Sequence, residues 1–188
     1  MAENVVPAVA FVVAYTLSGS NTNVSAGVAV GLAVVLAAAR LARRQSPRHA
    51  ITGLVGVAFA AFIATRSGRA EDFFLPGLIA NAAYASAFVV SVLVRRPLVG
   101  YVVTQLDGSQ ATPWREDPAR MRAFDRATWL WAGLFTARLL VQMPLYLAGS
   151  VVALGIARTA MGLPVFALGL WLSYLLVRRT PAREGRAG

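Results

Sequence analysis

The stretch Phe124 to Leu147 reads FDRATWLWAGLFTARLLVQMPLYL. It is apolar over about the ~20 residues that a bilayer crossing needs. Arg138 stands near its middle. A charge at that depth is costly, so a residue of this kind is a functional-site candidate by default. The stretch places the chain in a membrane, and the rest of the sequence is read outward from it.

Composition agrees. Of 188 residues, 57% are apolar and only 14% charged, with a mean hydropathy of +0.62. A soluble domain carries nearer ~25% charged residues. The expectation is an all-α, polytopic transmembrane helix bundle. It forms a single domain over residues 1–180, followed by a disordered basic tail at 181–188. Nothing at the start has the basic n-region and cleavage site of a secretory leader, so none is expected. The net charge is +10, and every basic residue is arginine. These arginines lie in the gaps between apolar runs. That is the pattern of positive loops at an anionic lipid surface rather than of a nucleic-acid binder. Cysteine is absent, which excludes disulfides, thiolate nucleophiles and thiolate metal sites.

Apolar runs begin at Val5, Val24, Ile51, Phe73 and Phe124. A polar segment, about Gly100 to Arg126, separates the fourth from the fifth, and Trp114 within it is an interfacial anchor candidate. After Pro144 the sequence stays apolar to Val177, too long for one span and short for two. Met143 to Ala157 is therefore read as a short helix at the outer interface, with a sixth span from about Thr159. The charge supports six spans with both termini cytoplasmic in a bacterial cytoplasmic membrane. Fourteen arginines then fall inside, and only Arg66 and Arg69 outside, with Arg158 near the boundary. Three returning spans end alike, LAAARLARRQ, VVSVLVRRPL and LSYLLVRRTP, which reads as a generic stop-transfer signal. Gly27-x-x-x-Gly31 is a small-residue motif assigned to packing inside the bundle.

The fifth run carries a stripe at helical spacing: Thr128, Trp131, Phe135, Arg138, Gln142, Tyr146. The fourth carries Asn81, Tyr84, Phe88 and Ser91. At ~1.5 Å per residue, Asn81 and Arg138 each lie roughly 12–13 Å below the outer ends of their helices. The expected ligand-binding group is Arg138, Asn81, Tyr84 and Gln142. None of the eight acids falls inside an apolar run. The sequence thus offers Arg138 backbone carbonyls and amides, the outer interface, or an anion from lipid or ligand. It also lacks the intramembrane acids of a proton relay. Glu71-Asp72 and Glu116-Asp117 read as helix-start charges, and His49 as an interfacial residue. No catalytic, metal or cofactor set is expected.

The run GRAEDFFLPGLIANAAYASAFVVSVLVRRPLVG, then WREDP, ATWLWAGLFTARLLVQMPLYLAG and MGLPVFALGLWLSYLLVRR, closely resembles an actinobacterial membrane family known as domain of unknown function 3159. The resemblance spans nearly the whole chain and implies no activity. The layout is also distantly similar to the intracellular septation protein A family, small inner-membrane proteins of the envelope, chiefly in the Trp–Phe pattern of the fifth span. The expected function is non-catalytic: an envelope-associated or small transporter- or channel-type protein with an anion- or lipid-binding pocket at Arg138. Membrane lipids, anionic ones among them, are the expected partners, with a second copy or an envelope protein left open. The alternative is a membrane enzyme acting on a lipid-linked phosphate.

Overall fold

Proline sets the start of most helices. The computed structural model describes residues 6–43, 47–107 and 117–178. Its helices are α1 (Val6–Leu17), α2 (Thr22–Ala42), α3 (Pro47–Ser67), α4 (Leu75–Leu93), α5 (Leu98–Asp107), α6 (Pro118–Leu147), α7 (Val151–Ala160) and α8 (Leu163–Arg178), with a short 3-10 turn at Ala70–Phe74. Pro47 and Pro118 are the first residues of their helices, and Pro7, Pro76 and Pro164 the second. There an N–H has no intrahelical partner to lose. Side chains close two further starts. Asn21 Oδ1 accepts from the N–H groups of Asn23 and Val24 ahead of α2. Asp117 Oδ1 accepts from Ala119 N–H ahead of α6.

Among the described residues, four helical stretches are long and apolar enough to cross a membrane: Thr22–Ala42, Ala70–Leu93, Pro118–Leu147 and Val151–Arg178. Val6–Leu17 and Ile51–Ser67 are apolar but shorter. The chain is all-helical as expected among the described residues, but four stretches reach spanning length where the sequence leads to an expectation of six. The segment expected from Met143 to Ala157 is divided differently. α6 continues through Pro144 to Leu147, a turn at Gly149 follows, and α7 begins at Val151. Proline costs an interior helix one hydrogen bond, which transmembrane helices tolerate when neighbours satisfy the freed carbonyl. The polar segment expected from Gly100 instead opens with α5. Its residues 108–116, Trp114 among them, lie outside the described set, as do the tail at 181–188 and the side chain of His49.

The described residues form two compact units, one of 6–79 with 140–163 and one of 80–139 with 164–178. In unit one, alanine lets helices approach. Ala26, Ala29, Ala33 and Ala37 form the buried face of α2, and Ala60, Ala61 and Ala64 that of α3. Where no water competes, close backbone approach is what gains packing energy. Gly27 and Gly31 do not share this face. Both are exposed, and a β-carbon at either would meet nothing within 4 Å. The packing stripe is the alanine one, offset by one residue from the glycine motif. Phe11 of α1 stacks on Phe73 at 4.1 Å between ring centroids and meets Phe74 edge-on. Gly155 of α7 lies against Val12 of α1 so closely that a β-carbon there would collide with the valine.

Unit two is built on aromatic rings. Phe88 of α4 stacks on Trp131 and Phe135 of α6 at 6.3 and 5.7 Å, and Phe166 of α8 meets Trp131 edge-on at 5.0 Å. The Trp131 indole N–H donates to Ser173 Oγ at 2.9 Å, tying α6 to α8. Gly169 leaves room for that indole: a β-carbon would stand 3.3 Å from its Cη2 atom.

Candidate functional site

Three of the four expected site residues belong to unit two. Phe135, 9% exposed, is the ring between them. Tyr84 of α4 lies 5.2 Å from it, centroid to centroid. The Arg138 guanidinium sits over the same ring, its Cζ 5.7 Å from the centroid. Phe135 thus takes a phenol from the neighbouring helix and a cation from one turn along its own. Such a cation–π contact contributes about 0.5–2 kcal/mol, more as water is excluded. Asn81 precedes Tyr84 by one turn of α4 and is half-buried. Tyr84 itself is 55% exposed, so the group is open on its α4 side. Gln142 is 4% exposed and falls in unit one, where it is described apart from the other three.

The remaining residues of the α6 stripe have structural partners. Thr128 Oγ1 donates to the Phe124 carbonyl at 2.7 Å and accepts from Val99 N–H at 3.4 Å. Trp131 is engaged with Ser173. Tyr146, at the end of the stripe, leads to a group that sequence spacing does not assemble.

That group lies in unit one. The Tyr146 hydroxyl donates to Asp72 Oδ1 at 2.5 Å, and Asp72 is 6% exposed. Arg69 Nε donates to Glu71 Oε1 at 2.8 Å, and its Cζ stands 5.7 Å from the Tyr146 ring centroid. Glu71, through this hydrogen bond and its charge, and Asp72 more weakly, push the Arg69 guanidinium further above its ordinary range. In the same unit, Arg158 of α7 lies over the Phe74 ring at 5.8 Å. Its guanidinium occupies the space a β-carbon at position 77 would fill. Asp72 keeps the helix-start place expected of it, in the first turn of the 3-10 segment. It is also a buried hydrogen-bonded acid, a role that a helix-start reading does not include. The signals were present as single residues, Asp72 just ahead of the fourth run and Tyr146 at the end of a stripe. Their pairing spans 74 positions, and no local spacing reveals it. Among the described residues no three of His, Cys, Asp and Glu gather closely enough to hold a metal ion.

These features define a class: an all-helical protein whose longer helices are suited to a membrane, with arginines held over aromatic rings in both units. The chain belongs to the family described as protein of unknown function DUF3159, whose sequence model matches residues 1–184. No curated protein and no solved structure matches it.

Proposed function

We propose that this is a non-catalytic, multi-pass protein of the bacterial cytoplasmic membrane that binds an anionic group, a lipid headgroup or a small anion, at Arg138, Tyr84 and Asn81. The observation that carries the reading is Arg138 held over Phe135, the ring that also packs against Tyr84 of α4. A guanidinium inside a span is retained against a cost of roughly 2.5–3.5 kcal/mol on translocon scales. Its planar donors match carboxylate and phosphate oxygens. Phe135 fixes the direction in which those donors point, and the exposed Tyr84 marks the open side. Six spans with both termini inside rest on the arginine distribution, with α1 and α3 crossing as shorter helices. An envelope role rests on the distant resemblance to the septation family.

The test is native mass spectrometry of protein purified in native lipid. Arg138→Leu should remove a retained anionic species that the wild type keeps, and Asn81→Leu should weaken its retention. If Arg138→Leu raises stability and leaves the bound species unchanged, Arg138 only tolerates the lipid and the reading fails.

A specific observation favours a second reading. The buried Asp72–Tyr146 pair beside Arg69 places an acid, a phenol and a cation together, as an enzyme acting on a lipid-linked phosphate would need. Release of phosphate from such a lipid by the wild type, abolished in Asp72→Asn, would favour it over the first.

A further inference from the structure

The end of unit two that carries α5 takes no part in the Arg138 group. α4 closes there on two backbone hydrogen bonds. Arg96 N–H donates to the Ser91 carbonyl at 2.7 Å, and Arg95 N–H to the Val92 carbonyl at 2.8 Å. This pairing puts residue 95 in the left-handed region, at φ 55°, a place usually held by glycine. α6 closes on the same pattern. Ser150 N–H donates to Leu145 and Gly149 N–H to Tyr146, with Gly149 at φ 66°. Two helices thus end alike, one with the residue the backbone favours and one with an arginine that strains it. A strained backbone position that persists is a pointer to function.

The residues just after Arg95 form a fixed platform. Pro97 is buried. Ser91 Oγ accepts from Leu98 N–H and Thr128 Oγ1 from Val99 N–H, both at 3.4 Å, so two hydroxyls face the first turn of α5. Val99 and Val103 pack into the cluster of Phe124, Ala127 and Val177. Tyr101 and Val102 stand on the other side, 37% and 55% exposed. With 10 residues, α5 is far too short to cross a bilayer. A short helix with one face packed, a tyrosine and a valine on the other and basic flanks suits the headgroup layer.

Among the described side chains around it, the exposed charges are basic. Arg95 and Arg96 precede α5, Arg122 and Arg126 belong to the α6 turns that pack beside it, and Arg178 comes after Val177. All five are exposed. Of the acids at this end with described side chains, Asp117 is spent on the Ala119 N–H and Asp125 is half-buried. Neither presents an exposed carboxylate to the arginines.

We propose that this end of unit two is a docking surface for anionic phospholipid headgroups, with α5 lying in the headgroup layer and the five arginines binding phosphate. Charge complementarity identifies the partner. Guanidinium groups bind phosphate oxygens in a planar, two-pronged geometry, and clusters of four or more basic residues beside a membrane helix hold anionic lipid. It is a surface separate from Arg138, on different residues.

Arg95 supplies a clean test, because Arg95→Gly removes the charge and relieves the backbone at once. The purified protein is mixed with equimolar phosphatidylglycerol and phosphatidylcholine, and bound lipid is counted by native mass spectrometry. Wild type should retain phosphatidylglycerol several-fold over phosphatidylcholine. Arg95→Gly should lower that preference with no loss of thermal stability, and Arg95→Gly with Arg96→Gln and Arg178→Gln should lower it further, to what the separate Arg138 group retains. Arg66→Gln, which removes an exposed arginine of unit one, should leave it in place. A wild type without preference would overturn the proposal and turn attention to an acidic protein partner. Full preference in the triple variant would overturn it as well.

Discussion

Tyr146 and Gly155 are single residues whose replacement reads out unit one. Tyr146→Phe keeps the ring beside Arg69 and deletes the hydroxyl that donates to the buried Asp72 carboxylate. Leaving a buried acceptor short of its donor costs about 1–3 kcal/mol, so the melting temperature in detergent should fall. Tyr174→Phe is the control. Its hydroxyl accepts from Arg178 at an exposed site, and it should melt like the wild type. Equal melting of both variants would deny the Asp72 pair any structural weight. Gly155→Ala should also destabilise, by about 1–3 kcal/mol of overpacking. The added carbon meets Val12, a stiff β-branched side chain on another helix. Gly77→Ala displaces only the tip of Arg158, which swings on a flexible stem, and its loss should be the smaller of the two. A reversed order would mean that Arg158 is held more firmly than α1 against α7. At this scale the sequence shows Arg138 clearly, because one charge in a long apolar run is conspicuous. It shows Asp72 poorly, because an acid near a run's end reads the same whether it faces water or a tyrosine far along the chain.

At the scale of elements, spacing reveals faces but not which face is buried. The α6 stripe is read correctly as one side of a helix, and Trp131 and Phe135 do form the buried ladder of unit two. Gly27 and Gly31 mislead, because a glycine motif and an alanine stripe on the same helix are equally good spacings. Only the partner helix decides, and α3 offers Ala60, Ala61 and Ala64 to the alanines. α5 is hidden by polarity further on: Asp107-Gly108-Ser109 reads as a turn, and nothing in the spacing separates that turn from the residues back to Gly100. The tie between α6 and α8 is testable. Ser173→Ala leaves the Trp131 indole N–H without its acceptor in a buried site. Intramembrane hydrogen bonds of this kind contribute about 0.6–1.7 kcal/mol, so a small drop in melting temperature is expected. An unchanged melt would assign the α6–α8 contact to ring packing alone.

For the whole molecule, the arginines and the helix lengths pull apart, and threading must obey one or the other. By length, four stretches reach across a bilayer while Val6–Leu17 and Ile51–Ser67 fall short. By charge, six crossings put nearly all loop arginines on one side. The two agree if short helices cross with flanking arginines reaching outward, as Arg66 and Arg69 can at the end of α3. They disagree over the turn between α6 and α7. Six crossings place it outside, together with Asn21 and the Arg69–Glu71 pair. Since the chain has no cysteine, a single Ala148→Cys supplies a unique thiol at an exposed position beside the Gly149 turn. It should react with a membrane-impermeant maleimide in intact spheroplasts, and a reporter fused after Gly188 should read cytoplasmic in the same cells. The pair of results matters more than either alone, because α7 and α8 together must then account for one crossing between them. If Ala148→Cys labels only after lysis while the Gly188 fusion stays cytoplasmic, the turn is inside. α7 and α8 would then enter and leave on the same side, and the six-span threading would be lost.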